Sequence, residues 1–532
     1  MSKPTKEEKE KALTKKALEY IKQGNLKDAE NIYRGLISSG TKNHVVYSNL
    51  AVICGQKGYQ KEKIELLKKA LILNPNFSEA HNNLGNALSE IGDLNSAINC
   101  FQKAIKLNSK FAEAYNNLGL TLKKHGNYND AITSLEKAID LKPNYPEAFH
   151  NLGLAQYEIE DLKSSMYSYQ TAIKLKPNYI DAMNNLGNIF QQLGDINYAI
   201  KCFKKAIFIE PNYPDLYWNL SRAQLLKNNY IDGLKNYEFR SQCKVPTLTH
   251  CKPDIQKWNG EPLKKGDKLH VISEQGLGDT MQFMRYILYL KYKGFNISFC
   301  CQKQLHNLIK VSGIHPSPLS DKQVNLITEG KWISLLSLPL HFSVTPINPI
   351  INKQYIYSST ELINKWKNIL AVEERPIIGI NWQGNPHTEK NILKGRSLIL
   401  ESFSTITKTN NVKLLSLQKG FGSEQLKNCS FLNKFVNCQD KVNEIWDFVE
   451  VAAIIINCDL VITSDTSIAH LAGGMGKRTW LLLKDIPDWR WGLKDDKTFW
   501  YPSIRLFRQK ERNNWSEVIE RVSLELKSYD LK

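Results

Sequence analysis

"NNLGLTLKKHGNYNDAITSLEKAIDLKPNYPEAFHNLG", residues 116–153, opens and closes on the same phrase, Asn-Leu-Gly, with Asn117 and Asn151 34 positions apart. The same interval separates Leu50, Leu84, Leu118, Leu152, Leu186 and Leu220. Gly85, Gly119, Gly153 and Gly187 follow four of these leucines. Further along each unit come Ala97, Ala131 or Ala199, then Phe101, Leu135 or Phe203, then Ala104, Ala138, Ala172 or Ala206. Pro143, Pro177 and Pro211 close three units. Six units are clear, and a weaker seventh begins near Glu10 with Ala29 and Tyr33 in register. Fixed self-similarity of this period is the mark of a stacked repeat array.

The pattern resembles the tetratricopeptide repeat, a helix–turn–helix unit whose small residues let two helices pack closely and whose proline ends the second. It predicts an α-solenoid over residues 10–245, behind a charged tail at 1–9. Such arrays coil into a superhelix with a concave binding face. Asn49, Asn83, Asn117, Asn151, Asn185 and Asn219 each precede a repeat leucine. An amide both donates and accepts, so these side chains either bond within the helical stack or pair with a bound main chain. The second alternative resembles the asparagine ladder of O-linked N-acetylglucosamine transferase and implies polypeptide substrates or partners.

The chain has 532 residues, enough for about three or four domains. Its net charge is +18, but the basic residues are spread along the sequence with no nucleic-acid-binding signature, so no nucleic-acid partner is expected. The ten cysteines include no C-x-x-C pair, which argues for reduced thiols rather than a disulfide frame or zinc site. No apolar stretch approaches the roughly 20 residues of a membrane span, and the N-terminus is charged from the start. The expected location is cytoplasmic.

All eleven tryptophans lie at or after Trp218. Residues 246–267 carry prolines without helical periodicity and read as a linker. Beyond them, apolar runs alternate with amphipathic segments: strands at 269–273 and 296–301 with a helix at 280–293 between them, then a helix near 361–370. A second series has strands at 377–382, 412–417, 460–464 and 479–483, and a final helix over 515–528. This alternation predicts α/β architecture with parallel sheets, as two Rossmann-like lobes at 268–360 and 374–529 facing a cleft. Ligands of such sheets bind beyond the carboxyl ends of the strands.

Two motifs stand there. "DLVITSDTSIAHLAGGMGK", residues 459–477, runs from a strand into a helix start, where amides, hydroxyls and the helix dipole converge on a spot suited to a diphosphate. Alternatively, Ser464 or Asp465 is simply an N-cap. "SEQGLGDTMQFMRY", residues 273–286, has the glycines of a phosphate cradle but also Asp279, which would repel an anion. Asp279 is either a cleft carboxylate or the N-cap of the following helix.

Asp465, Thr466 and His470 resemble the Asp-Thr-x-x-x-His signature of the heptosyltransferase family of GT-B glycosyltransferases, with Ser467 where some relatives have glycine. The resemblance implies a donor pocket at Ser464, Asp465, Thr466, Ser467 and His470, with the diphosphate on Thr466 and the amides after it. It assigns a basic phosphate partner to "RSL", hence Arg396 with Lys394 as the alternative, and sets Gln418 and Lys419 near the nucleotide. "GLGD" resembles the acceptor-side loop, with Gly276 and Gly278 approaching the sugars and Asp279 as the base. Glu274 and Gln275 then orient the loop, and Arg285 reaches toward the cleft. The aromatic segment 487–509 resembles that of the tetratricopeptide-linked branch, where it packs the second lobe, or stacks a base on Trp489 or Trp491. The first lobe is shorter than in lipopolysaccharide heptosyltransferases, so the resemblance carries reaction type better than acceptor.

These implications add up to an inverting, metal-independent glycosyltransferase without a cofactor. It would move a sugar from a nucleoside-diphosphate sugar to a hydroxyl, plausibly of protein Ser or Thr held by the superhelix. The alternatives are a glycan or lipopolysaccharide-type acceptor with the repeats recruiting partners, and a non-catalytic repeat scaffold.

Overall fold

The structure, a computed structural model, describes residues 5–264, 266–374, 376–387, 389 and 394–528. Residues 1–4 of the expected tail and residue 529 of the expected second lobe lie outside them. The chain divides into two compact units, Met1–Ile189 and Phe190–Lys532.

From Lys6 to Tyr237 the described residues form fourteen consecutive helices, from Lys6–Lys22 and Leu26–Ser38 to Pro214–Leu226 and Tyr230–Tyr237. The first begins inside the expected tail because Thr5 and Glu8 close a capping box there: the Thr5 hydroxyl accepts from the Glu8 amide, and the Glu8 carboxylate accepts from the Thr5 amide. In three of the repeats the glycine faces the large residue of the next helix. A Cβ on Gly85 would lie 2.7 Å from the Phe101 ring, on Gly119 2.5 Å from Leu135 Cγ, and on Gly153 2.7 Å from the Tyr169 ring. The Gly–Phe and Gly–Leu pairs of the sequence pattern are therefore one contact repeated, and Tyr169 takes the same place opposite Gly153. Gly119→Ala is expected to lower stability by about 1–3 kcal/mol, read by thermal unfolding, because the Ala131 carbonyl, 3.0 Å from the new methyl, cannot yield as a side chain would.

The period also decides the asparagines. Asn49 donates to the Tyr33 hydroxyl at 3.1 Å, Asn117 to Asn82 Oδ1 at 3.0 Å and Asn151 to Asn116 Oδ1 at 2.9 Å. Asn185 Nδ2 meets His150 Nε2 at 3.0 Å. At these four positions the amide nitrogen bonds within the helical stack. Asn83 lines a shallow hollow with Asn86 and Glu90, and Asn219 belongs to the other unit.

The second unit holds two all-parallel sheets. In the first, β1 (Lys268–Ile272) lies between β2 (Asn296–Cys300) and β3 (Lys331–Ser334), with Leu269 opposite both Ile297 and Lys331. The second comprises β4 (Ile377–Asn381), β5 (Lys413–Ser416), β6 (Leu460–Ser464), β7 (Thr479–Leu483) and β8 (Ile504–Arg508), in the order β5-β4-β6-β7-β8. Alternate residues of β4, β6 and β7 point to opposite sides. Ile378, Ile380, Leu460, Ile462, Trp480 and Leu482 pack with the helix Trp515–Ser528, whereas Ile377, Val461, Leu481 and Leu483 join a larger core on the other face. That larger core also contains Phe203, Leu220, Tyr230 and Tyr237, so the last three repeat helices are built into the α/β body. The segment 246–267 runs along the first sheet, where the Trp258 amide donates to the Trp332 carbonyl at 2.8 Å and the Trp332 amide to the Gln256 carbonyl at 3.1 Å. No helix among the described residues is long and apolar enough to cross a membrane.

Candidate functional site

Both sheets change direction of winding at a strand whose following loop carries a motif. In the first sheet β1 has its successors on either side, and the loop after it is 273–276. In the second the reversal lies between β4 and β6, and the loops after these strands are 382–385 and 465–466. A crevice opens where crossovers leave a sheet in opposite directions, beyond the carboxyl ends of the strands. All three loops line one cleft of about 910 Å³.

Asp279 stands on one wall. The helix Leu277–Phe283 starts three residues earlier than the sequence suggests, with Gly276 as N-cap, so Asp279 is its third residue rather than the cap. Its Oδ2 accepts from the Gly276 amide at 2.9 Å, and its Oδ1 is paired with Arg490 Nη2. Gly278 answers the puzzle of the glycines: a Cβ there would come within 2.7 Å of His470 Cδ2 and 3.4 Å of Ser467 Cα. The glycine admits the close approach of the helix Ser467–Gly474.

On the opposite wall Thr466 is the N-cap of Ser467–Gly474 but makes no capping bond; its Oγ1 donates instead to Asn381 Oδ1 at 2.8 Å. The N-cap alternatives for Ser464 and Asp465 therefore fall away. Asn381 Nδ2 donates to Gln418 Oε1 at 2.9 Å, and that same oxygen accepts from the Trp382 and Gln383 amides. Gln418 thus fixes the loop after β4 from within. Arg396 lies against Gly384, where a Cβ would meet Nη2 at 2.8 Å, and its Nε pairs with Glu389 at 3.2 Å. Lys419 lines the cleft while its ammonium donates to the Val442 carbonyl, and burial lowers its pKa to about 8.

Burial sets the other charges. His470 is held well below the usual imidazole range by burial and by Arg490, Arg285 and Arg396, so it is neutral. Its Nδ1 lies 3.0 Å from the Tyr501 hydroxyl and its ring stacks on Trp491 at 5.4 Å. Burial, reinforced by Asp488, pushes the Asp465 carboxyl up to about 6 against the pull of Arg396. A raised carboxyl in the fold means that its stabilising protonated form is present below the unfolded pKa of about 4 and is lost as pH rises through 6. Asp465→Asn is accordingly expected to raise the unfolding midpoint at pH 7–8 and to match the parent at about pH 4 and below, in parallel urea titrations.

Several expected residues lie elsewhere. Glu274 is 1 % exposed and forms a buried pair with Arg240, at 3.0 Å and 2.7 Å, so it does not face the cleft. Arg285 is fully buried among the carbonyls of Gln282, Ile351 and Trp500 and the Tyr355 hydroxyl. Ser464 is the buried last residue of β6, outside the cleft lining, with its Oγ unpartnered. The Lys394 carbonyl accepts from Lys484, and that residue does not line the cleft. Trp489 and Trp491 are buried packing residues, not a stacking platform. Gln275 lines the cleft from a left-handed backbone at φ +62°, its side chain donating to the Tyr237 hydroxyl.

The cleft also holds residues that the motifs did not single out. Arg490 bridges Asp279 and Asp488, the latter at 2.8 Å, with its guanidinium over Trp489. Trp446 and Phe421 line it while 66 % and 46 % exposed, beside Phe448 and Val451. The sequence sign of this aromatic end is Trp446 itself, which with Ile445 stands between Glu444 and Asp447 in "NEIWDFVE".

Residues 86–126, 121–160 and 157–194 match the family described as TPR repeat, and 180–213 and 66–99 match families described as tetratricopeptide repeat. No curated protein matches the chain. Among solved structures it is similar to MamA protein, at 30% identity over 32% of this chain and 93% of that one, with a TM-score of 0.29. MamA from Desulfovibrio magneticus RS-1 gives 28% identity over 32% and 97%, TM-score 0.30. YrrB gives 22% over 34% and 93%, TM-score 0.29.

Proposed function

From a chain whose N-terminal part is a tetratricopeptide-repeat array, a module that mediates protein interactions, we propose that the α/β part is an inverting GT-B-type glycosyltransferase. It uses a nucleoside-diphosphate sugar and a hydroxyl acceptor, with protein Ser or Thr as the acceptor class. One observation carries this: a carboxylate, Asp279, and a helix start whose N-cap side chain makes no capping bond line one cleft at the strand ends of two parallel sheets, together with Arg396 and Lys419.

The diphosphate sits at the Thr466–Ser467 helix start, where the dipole and the basic side chains offset its charge without a metal. The base of the nucleotide lies toward Trp446 and Phe421, flat exposed aromatics at the same cleft. The acceptor oxygen attacks the anomeric carbon on the Asp279 side. As the new C–O bond forms, the bond to the diphosphate breaks, the electron pair leaves with the phosphate, and Asp279 takes the hydroxyl proton. Arg490 orients that carboxylate, and the Gly276 amide fixes its other oxygen. His470, neutral, shapes the wall and adds no charge beside the sugar.

The deciding experiment measures nucleoside diphosphate release over a panel of nucleotide sugars with host lysate as acceptor. Release from one donor class, dependent on Asp279, is expected. A folded chain that releases none and binds no nucleoside diphosphate is a scaffold, not a transferase.

A further inference from the structure

A second groove, of about 580 Å³, lies in the same compact unit and shares one residue of consequence with the cleft: Arg490. Its walls are residues 194–198, 226–228 and 230 of the last repeats, and 490–495 and 497–499 of the segment before β8. The geometry points to this groove as the docking site of an extended, acidic polypeptide segment, whose hydroxyl-bearing residue is thereby brought to the Arg490 end, beside Asp279.

Three observations converge. The groove and the cleft share Arg490, the residue whose guanidinium pairs with Asp279, so a chain lying in the groove runs beside the residue that holds the base. Its exposed charges are Lys227, Lys494 and Lys497 against Asp195 and Asp495, a net positive lining, while Arg490 is already paired with Asp279 and Asp488. Finally, Tyr198 is 56 % exposed at its wall, an apolar surface on which a side chain can rest. The two aspartates distinguish a peptide from a nucleic acid. A continuous phosphate backbone would be repelled at Asp195 and Asp495, whereas an acidic peptide sets its carboxylates on the lysines and its backbone N–H groups near the aspartates. Steering of this kind chooses partners and speeds encounter more than it adds affinity. The docking itself is independent of the transferase proposal; only the fate of the hydroxyl at Asp279 rests on it.

The test uses the full chain and fluorescence anisotropy with three labelled probes: a peptide of alternating serine and glutamate, its serine–lysine counterpart, and oligouridylate. Only the acidic peptide is expected to bind. Lys494→Glu combined with Lys497→Glu should weaken it about tenfold and leave nucleoside diphosphate binding unchanged. A photo-crosslinking amino acid in place of Tyr198, in the otherwise unaltered chain, should couple to the peptide. Unchanged affinity in the double variant, no crosslink, or preferential binding of the RNA or the basic peptide overturns the assignment. Peptide capture in a chain that releases no nucleoside diphosphate would retain the groove and discard the transferase.

Discussion

Asp279→Asn is expected to lower sugar transfer by about 10²–10⁴-fold, the range a positioned general base contributes, while nucleoside diphosphate affinity stays within about twofold. The separation follows from the geometry. An asparagine carbonyl can still accept from the Gly276 amide, so the helix start at Leu277 and the close approach of Gly278 to His470 persist. What disappears is the proton acceptor, and with it the ion pair to Arg490, which keeps Asp488 as its counter-ion. Transfer rates and isothermal titration with nucleoside diphosphate read the two effects separately. Transfer retained above a tenth of the parent rate would move the base to another carboxylate, with Asp465 the next in the cleft. A joint loss of affinity would mean that the loop after β1 touches the donor.

The largest effect on stability is expected at the buried pair. Arg240 is 3 % exposed, and besides both oxygens of Glu274 it reaches Ser334 Oγ at 3.1 Å, Ser337 Oγ at 2.9 Å, the Tyr237 carbonyl at 3.0 Å and Glu238 at 2.8 Å. Glu274→Ala leaves the guanidinium in place without its bidentate partner, and removing one member of such a pair costs about 3–5 kcal/mol. The double change Arg240→Met with Glu274→Leu should recover most of that, because both charges of the pair are then removed and neither is left buried without its partner, while Glu238 keeps Ser337 and Lys257. Urea unfolding of the three variants tests both statements. A single-variant loss below about 1 kcal/mol would show that Glu238 alone suffices.

The same residues show why the sequence conveyed some of this architecture and hid the rest. The repeats are legible because one contact, glycine against a large side chain, recurs at a fixed interval and imprints a period. β4, β6 and β7 are legible because strands buried on both faces become short apolar runs. β3, "KWIS", is four residues long, and β8, "IRLFR", puts arginines on a half-buried strand, so neither yields such a run. The Asp-Thr loop and "GLGD" could be placed at strand ends, yet strand order, which brings them to one cleft, leaves no local trace. Glu274 and Arg285 have the polarity of cleft residues, and only tertiary partners reveal that they are buried. The asparagine ladder reads two ways for a related reason: an amide that can pair with a peptide pairs equally well with the neighbouring repeat.

Solenoid arrays ordinarily finish in a polar capping helix that shields the last apolar face from water. Here the helices from Ile196 to Tyr237 have no such end, because Phe203, Leu220, Tyr230 and Tyr237 are interior residues of the α/β body. A fragment cut at the linker, after residue 245, would carry those side chains into solvent and aggregate, whereas one starting at 180, ahead of the helix Ile180–Gln192, would keep its interior whole. For anyone dissecting or grafting this protein, the usable joint lies at the start of the sixth repeat, about sixty-five residues before the compositional change that looks like one in the sequence.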